Sequence, residues 1–130
     1  MVVRLIRSSL MYQGVPYAYA ATAPATSVVF TAGACPLDEA GQVVAPGDIA
    51  AQARQALANL RTALGESGCD ITDVLKTTVY VASGARADLV TAWNEVAAAF
   101  GEHDAPSTLL GVAVLGYPDQ LVEIEAVAAR

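Results

Sequence analysis

The chain has 130 residues, with 13 acidic side chains against seven basic ones, a net charge of −6 and 55% hydrophobic residues. That length predicts one domain spanning 1–130, large enough to bury a core without staples. The acidic balance and dispersed bases leave no basic stripe for a phosphate backbone, so no nucleic-acid partner is expected. No window holds the ~18 consecutive apolar residues of a membrane span, and Met1–Arg7 is too short and too early-charged for a signal peptide. The expectation is therefore a cytoplasmic protein with no membrane partner. Excess apolar surface in so small a domain predicts oligomerisation.

In chain order, Val2 to Ile6 reads as a short first strand, and Tyr17 to Thr22 alternates loosely. Ser27 to Ala34 is a better strand, rich in β-branched residues. Asp38-Glu39-Ala40-Gly41-Gln42 has turn chemistry. Asp48 is positioned to cap a helix running to about Glu66, in which Ile49, Ala53, Leu57, Leu60 and Leu64 form one apolar stripe. Gly65 and Gly68 can end it. Val74 to Val81 predicts a strand. A second helix follows over Ala87–Gly101, with Leu89, Trp93, Val96, Ala97 and Phe100 facing inward. Thr108 to Leu115 and Leu121 to Ala128 read as the last two strands. The order predicts an α+β fold, two helices on one face of a mixed sheet, whose other face needs a second subunit to cover it.

Cys35 and Cys69 have no metal-ligand spacing and there is one histidine, His103, so no metal centre is expected. Without a phosphate-cradling glycine loop, no cofactor is expected either.

Val15-Pro16-Tyr17-Ala18, Phe30-Thr31-Ala32-Gly33, Lys76-Thr77-Thr78-Val79-Tyr80-Val81 and the Ala105-Pro106-Ser107-Thr108 step together resemble the motifs of the RidA (YjgF) family. Val15-Pro16-Tyr17-Ala18 resembles its Gly-Pro-Tyr-Ser opening, and Phe30-Thr31-Ala32-Gly33 its strand ending in Ser-Gly-Gln. Ala50–Leu57 and Lys76-Thr77-Thr78-Val79-Tyr80-Val81 resemble family helix and strand motifs. Trp93-Asn94 followed by Phe100 is similar to the Phe-Asn step of the second helix. Ala105–Val112 with Val122–Ala126 resembles the C-terminal signature, in which a Pro-Ala-Arg-Ser/Thr step opens a strand. The resemblance implies a homotrimer of chorismate-mutase-like subunits with small-molecule clefts between them. It implies Tyr17, Gly33, Asn94 and Glu123 as cleft residues. In place of the arginine that grips a substrate carboxylate stands Ser107, or Thr108 if Pro106-Ser107 is the Pro-Ala pair. Ala18, Ala34 and Ala97 replace a serine, a glutamine and a tyrosine.

A hydroxyl cannot imitate the two parallel bonds a guanidinium gives a carboxylate. Losing such a partner typically costs about 2–5 kcal/mol, so ordinary 2-imino acids are expected to be poor substrates. Arg54, Arg61 and Arg86 fall on or beside solvent-facing helix positions, while Arg4 and Arg7 near the first strand are left as possible replacements. Glu123 is the expected catalytic acid–base, orienting or deprotonating the water that attacks C=N. On the residues alone it would be an exposed strand carboxylate, as Glu125 is. Tyr17 can stack on a flat ligand or serve as a core tyrosine. Gly33 can admit a ligand to the backbone or mark a bulge. Asn94 can orient a ligand or brace its helix. Cys35 is a conceivable nucleophile but more simply an inert thiol, and a Ser107–His103 pair is the weakest candidate. The expected function is an atypical imine or enamine hydrolase or tautomerase acting on a pathway-specific metabolite rather than a general 2-imino acid deaminase. Its alternative is a non-catalytic ligand-binding or chaperone-like homologue.

Overall fold

A computed structural model describes residues 3–130, so Val2 of the predicted first strand lies outside the described residues. The strands are β1 (Arg4–Ile6), β2 (Ala20–Thr22), β3 (Val28–Phe30), β4 (Val74–Val81), β5 (Ser107–Gly111) and β6 (Val122–Ala129). The helices are α1 (Ile49–Glu66) and α2 (Arg86–Phe100). β1 and β2 form an antiparallel pair, and the other strands form one mixed sheet in the order β3-β6-β4-β5. Only the β4–β5 pair is parallel, as it must be when α2 makes the crossover between them.

The helices form where capping and apolar spacing coincide. The Asp48 carboxylate accepts from Ala51 N at 3.0 Å, closing the first turn of α1. The predicted stripe points inward: Ala53, Leu57, Leu60 and Leu64 are buried beside Val74, Val79, Val81, Val122 and Ile124 of the sheet. Gly65 lies inside the helix rather than ending it. Gly68 makes the stop, with φ +80°, so that Cys69 N returns to Leu64 O at 2.8 Å. In α2, Ala97 is exposed, and the inward position falls to Ala92, which is fully buried.

Two strands are shorter than their sequences suggest. Phe30 pairs with Val127 and Ala34 with Ile124, so four steps on one chain oppose three on the other. The Thr31 hydroxyl takes the Ala126 amide, at 2.9 Å. This bulge ends β3 and bends the chain at Gly33. β5 stops at Gly111 because β4 ends at Val81 and offers one last acceptor, Val81 O, to Val112 N at 2.8 Å.

One sheet face is covered by the helices. On the other, the register aligns Leu110, Tyr80 and Glu123 in one row and Thr108, Thr78 and Glu125 in the next. Phe30 and Val28, on the edge strand, are 76% and 51% exposed there. Among the described residues, no helix is long and apolar enough to cross a membrane.

Candidate functional site

Glu123 stands on the helix-free face, half-buried, in a setting that fixes one of its two oxygens. Gln120 Nε2 donates to Oε1 at 3.1 Å, and the Cys35 thiol donates to the same atom at 3.4 Å. The other oxygen, Oε2, lies against the backbone of Gly33, where any Cβ would collide with it. The bulge that ends β3 thus provides the space the carboxylate occupies, and Gly33 and Glu123 are brought together.

Helix α1 holds the groups around this carboxylate. Asn59 Nδ2 donates to Cys35 O at 2.9 Å and to Leu37 O at 3.0 Å, fastening the segment after Gly33. Gln52, completely buried, donates to Asp119 O at 2.9 Å and accepts from Leu121 N at 2.7 Å. Gln120 itself is 3% exposed; it accepts from Tyr117 N and donates to Val122 O, each at 3.1 Å. Every hydrogen-bonding atom of the Gln120 side chain is therefore used in holding the loop 117–120 and the carboxylate.

The Cys35 thiol is pushed above its ordinary range, first by burial and then by the adjacent Glu123 charge. A thiol so placed stays protonated near neutrality and serves as a donor rather than a nucleophile. His103 Nε2 lies 2.8 Å from Val74 O, whereas the Ser107 hydroxyl is 2.6 Å from that of Thr77. The two do not pair.

The second group of residues gathers at the β5 edge. Tyr17, Ser107 and Thr108 line a cavity of about 450 Å³ with Pro16, Trp93 and Leu109. Tyr17 meets Trp93 and Tyr19 edge-on, at centroid distances of 6.5 and 6.0 Å. The arm carrying Tyr17 is held by Ala18 N donating to Asp104 O at 2.8 Å and by a two-point ion pair of Arg7 with the Asp104 carboxylate. That pairing commits Arg7 and holds the Asp104 carboxyl below its usual range, chiefly through the hydrogen bonds. Arg4 is exposed on β1.

The register separates the two candidates for the arginine position. Ser107 lies beside buried Thr77, on the helix side, while Thr108 shares the helix-free face with Glu123. Thr108 Oγ1 accepts from Lys76 Nζ at 2.6 Å. Asn94 is exposed on α2 and outside the cavity lining. Glu125 accepts from the Tyr80 hydroxyl at 2.7 Å. Sequence reasoning missed Gln120, Cys35 as a donor, Trp93 as cavity wall, and Lys76. The signals for Lys76 were its being the chain's single lysine and its parity with Thr78 on the same strand.

The sequence profile of the family described as Endoribonuclease L-PSP matches residues 12–130. The chain belongs to this family, the Rid or YjgF family. It is 31% identical over 122 residues to a 3-aminoacrylate deaminase, RutC, of Acinetobacter baylyi, covering 92% of this chain and 94% of that one. It is 36% identical over 107 residues to a 2-iminobutanoate/2-iminopropanoate deaminase of Escherichia coli, covering 80% of each. Among solved structures, the Rid-family protein YyfB of Yersinia pestis superposes with a TM-score of 0.93 at 31% identity over the full length of both chains. That agreement matches the α+β fold with two helices on a mixed sheet. No group of three or more His, Cys, Asp or Glu able to hold a metal occurs among the described residues.

Proposed function

We propose that the protein is a Rid-family hydrolase or tautomerase of imines or enamines, with Glu123 as its acid–base. We further propose that it serves a pathway-specific metabolite rather than 2-imino acids in general. The observation that carries this reading is the Glu123 carboxylate with one oxygen held by Gln120 and Cys35 and the other beside Gly33. In this mechanism Oε2 takes a proton from water as the water oxygen bonds to the C=N carbon. The nitrogen gains protons and leaves as ammonia, and the carbon becomes a carbonyl. An enamine reaches the same route after protonation at carbon, with Glu123 as donor.

The narrowed specificity rests on Thr108 and Ser107, which replace a two-point guanidinium by hydroxyls. Tyr17 and Trp93 form the wall for a flat unsaturated ligand, while Asn94 has no ligand-facing role in this arrangement of one chain.

The cleft is proposed to be completed in a homotrimer. Phe30, Val28 and Leu110 leave apolar surface on the same face as Glu123, and a second copy covers it most simply. Sedimentation equilibrium should give three times the chain mass of 13.3 kDa; a monomer would remove the completed cleft. RNA cleavage is not carried over from the family description, because a net charge of −6 opposes a polyanion.

The decisive substitution is Glu123→Gln, which keeps the shape and removes the base. Imine hydrolysis by this variant should fall by roughly 100-fold or more. Unchanged turnover would end the catalytic assignment and favour a ligand-binding role.

A further inference from the structure

We propose that Cys35 is a positioning residue for Glu123, and that its single thiol proton changes partner as the carboxylate changes charge. This rests on the acid–base role of Glu123 above and deepens it by naming a group that keeps Oε1 out of the chemistry.

The backbone on both sides of this pair is fixed. Ala34 N donates to Ile124 O at 2.7 Å, and Ile124 N donates to Ala34 O at 3.1 Å. In that antiparallel bridge the next residue on one strand, Cys35, stands opposite the preceding residue on the other, Glu123. Cys35 O accepts from Asn59 Nδ2 and from Leu37 N, each at 2.9 Å. The freedom left to Cys35 is the rotation of its S–H. A thiol carries one proton, and two acceptors stand within its reach: Glu123 Oε1 at 3.4 Å and Gly33 O at 3.6 Å.

Those two acceptors differ in charge. While Glu123 is a carboxylate, Oε1 draws the thiol proton more strongly than a neutral carbonyl does, because a charged acceptor makes the stronger bond. Once Oε2 has taken a proton from water, Oε1 is a neutral carbonyl oxygen like that of Gly33, and its advantage is gone. The thiol proton then swings toward Gly33 O. Gln120 makes no such exchange: its Nε2 also donates to Val122 O and its carbonyl accepts from Tyr117 N, so the amide can neither turn nor let go. Gln120 therefore holds Oε1 in both states. Cys35 adds a hold that is strongest while the carboxylate stands ready as a base, leaving Oε2 as the oxygen that reacts. The proton stays on sulfur throughout, and no bond to sulfur forms or breaks.

The chain has two cysteines, so its infrared spectrum carries two S–H stretching bands, and loss of one in Cys35→Ser or in Cys69→Ala assigns both. An S–H band falls where other protein groups do not absorb, and it moves to lower frequency as its hydrogen bond strengthens. The Cys35 band of the parent should lie below its position in Glu123→Gln, in which a neutral amide replaces the charge. Turnover of 2-iminobutanoate, generated in place by an amino-acid oxidase, supplies the second readout. Cys35→Ala should lower kcat about tenfold with KM unchanged. Cys35→Ser, which restores a donor, should recover most of that loss.

A Cys35 band at the same frequency in the parent and in Glu123→Gln would overturn the change of partner. A parental kcat in Cys35→Ala, or a Cys35→Ser variant as slow as Cys35→Ala, would overturn the positioning role. The infrared comparison keeps the native Cys35, so it answers even where a Cys35 variant fails to fold. Failure of the underlying hydrolase reading looks different: Glu123→Gln would turn over like the parent while the Cys35 band still moved.

Discussion

The Glu123 site and the β5 edge are built differently. Around Glu123, a buried amide, a thiol and a close-packed glycine leave the carboxylate little freedom, and α1 braces each supporting segment through Asn59 and Gln52. At the β5 edge, the Ser107 and Thr108 hydroxyls border an aromatic-walled cavity, and Thr108 also accepts from the Lys76 ammonium. The first arrangement suits proton transfer, which demands one geometry. The second suits recognition, which can be retuned by changing a few wall residues while the sheet stays as it is. The proposed function reads the recognition end as altered and the chemical end as retained, on a scaffold that hosts more than one substrate.

Breaking the chemical end should have the largest effect, beginning with Glu123→Gln as above. Gly33→Ala comes next: its methyl would occupy the space of Oε2, and displacing the carboxylate should cut kcat about 10- to 100-fold. Far-ultraviolet circular dichroism should remain that of the parent. If kcat were unaffected, Oε2 would not be the reacting oxygen. Gln120→Leu should cost about 1–3 kcal/mol in chemical denaturation, since it strands Tyr117 N and Val122 O. It should also lower turnover by freeing Glu123. A stable variant with full turnover would show that the loop holds without the amide.

Much of the scaffold was legible because it rests on repetition. The α1 stripe, the Asp48 cap and the β-branched run of β4 each state their geometry locally. The β3 bulge was not legible, since it depends on the Thr31 hydroxyl capturing an amide from β6, a contact between residues 95 positions apart. The same limit hid Gln120 and Lys76. Their roles come from what lies across the sheet or loop, and neither residue type announces it. Ala97 was misplaced because an alanine-rich helix offers weak contrast between its faces. Glu123 was identified through family resemblance, as its alternation with Glu125 describes equally well two solvated carboxylates.

The smallest expected effect lies at the recognition end and depends on pH. The Asp104 carboxyl is held below its usual range mainly by hydrogen bonds from Arg7. A depressed folded-state pKa adds stability that is present above the unfolded value of about 3.9 and is lost as pH falls through the folded value. Acidification below about pH 4 should therefore loosen the arm carrying Tyr17. Arg7→Ala should remove this part of the acid dependence while costing under about 1 kcal/mol at neutral pH, as expected for a partly exposed pair. Denaturation midpoints at pH 3 to 7, about a unit apart, would show it; identical acid profiles for both proteins would remove the arm from the account.

The central claim, that chemistry is kept and recognition altered, is tested most directly by turnover of 2-iminobutanoate beside an arginine-bearing family member. The imine is generated in place by an amino-acid oxidase. The account predicts hydrolysis at least about tenfold slower than the comparator, partly restored by Thr108→Arg. Equal rates in the two parent proteins would contradict it, and would show that other groups of the cleft hold the substrate as well as a guanidinium does.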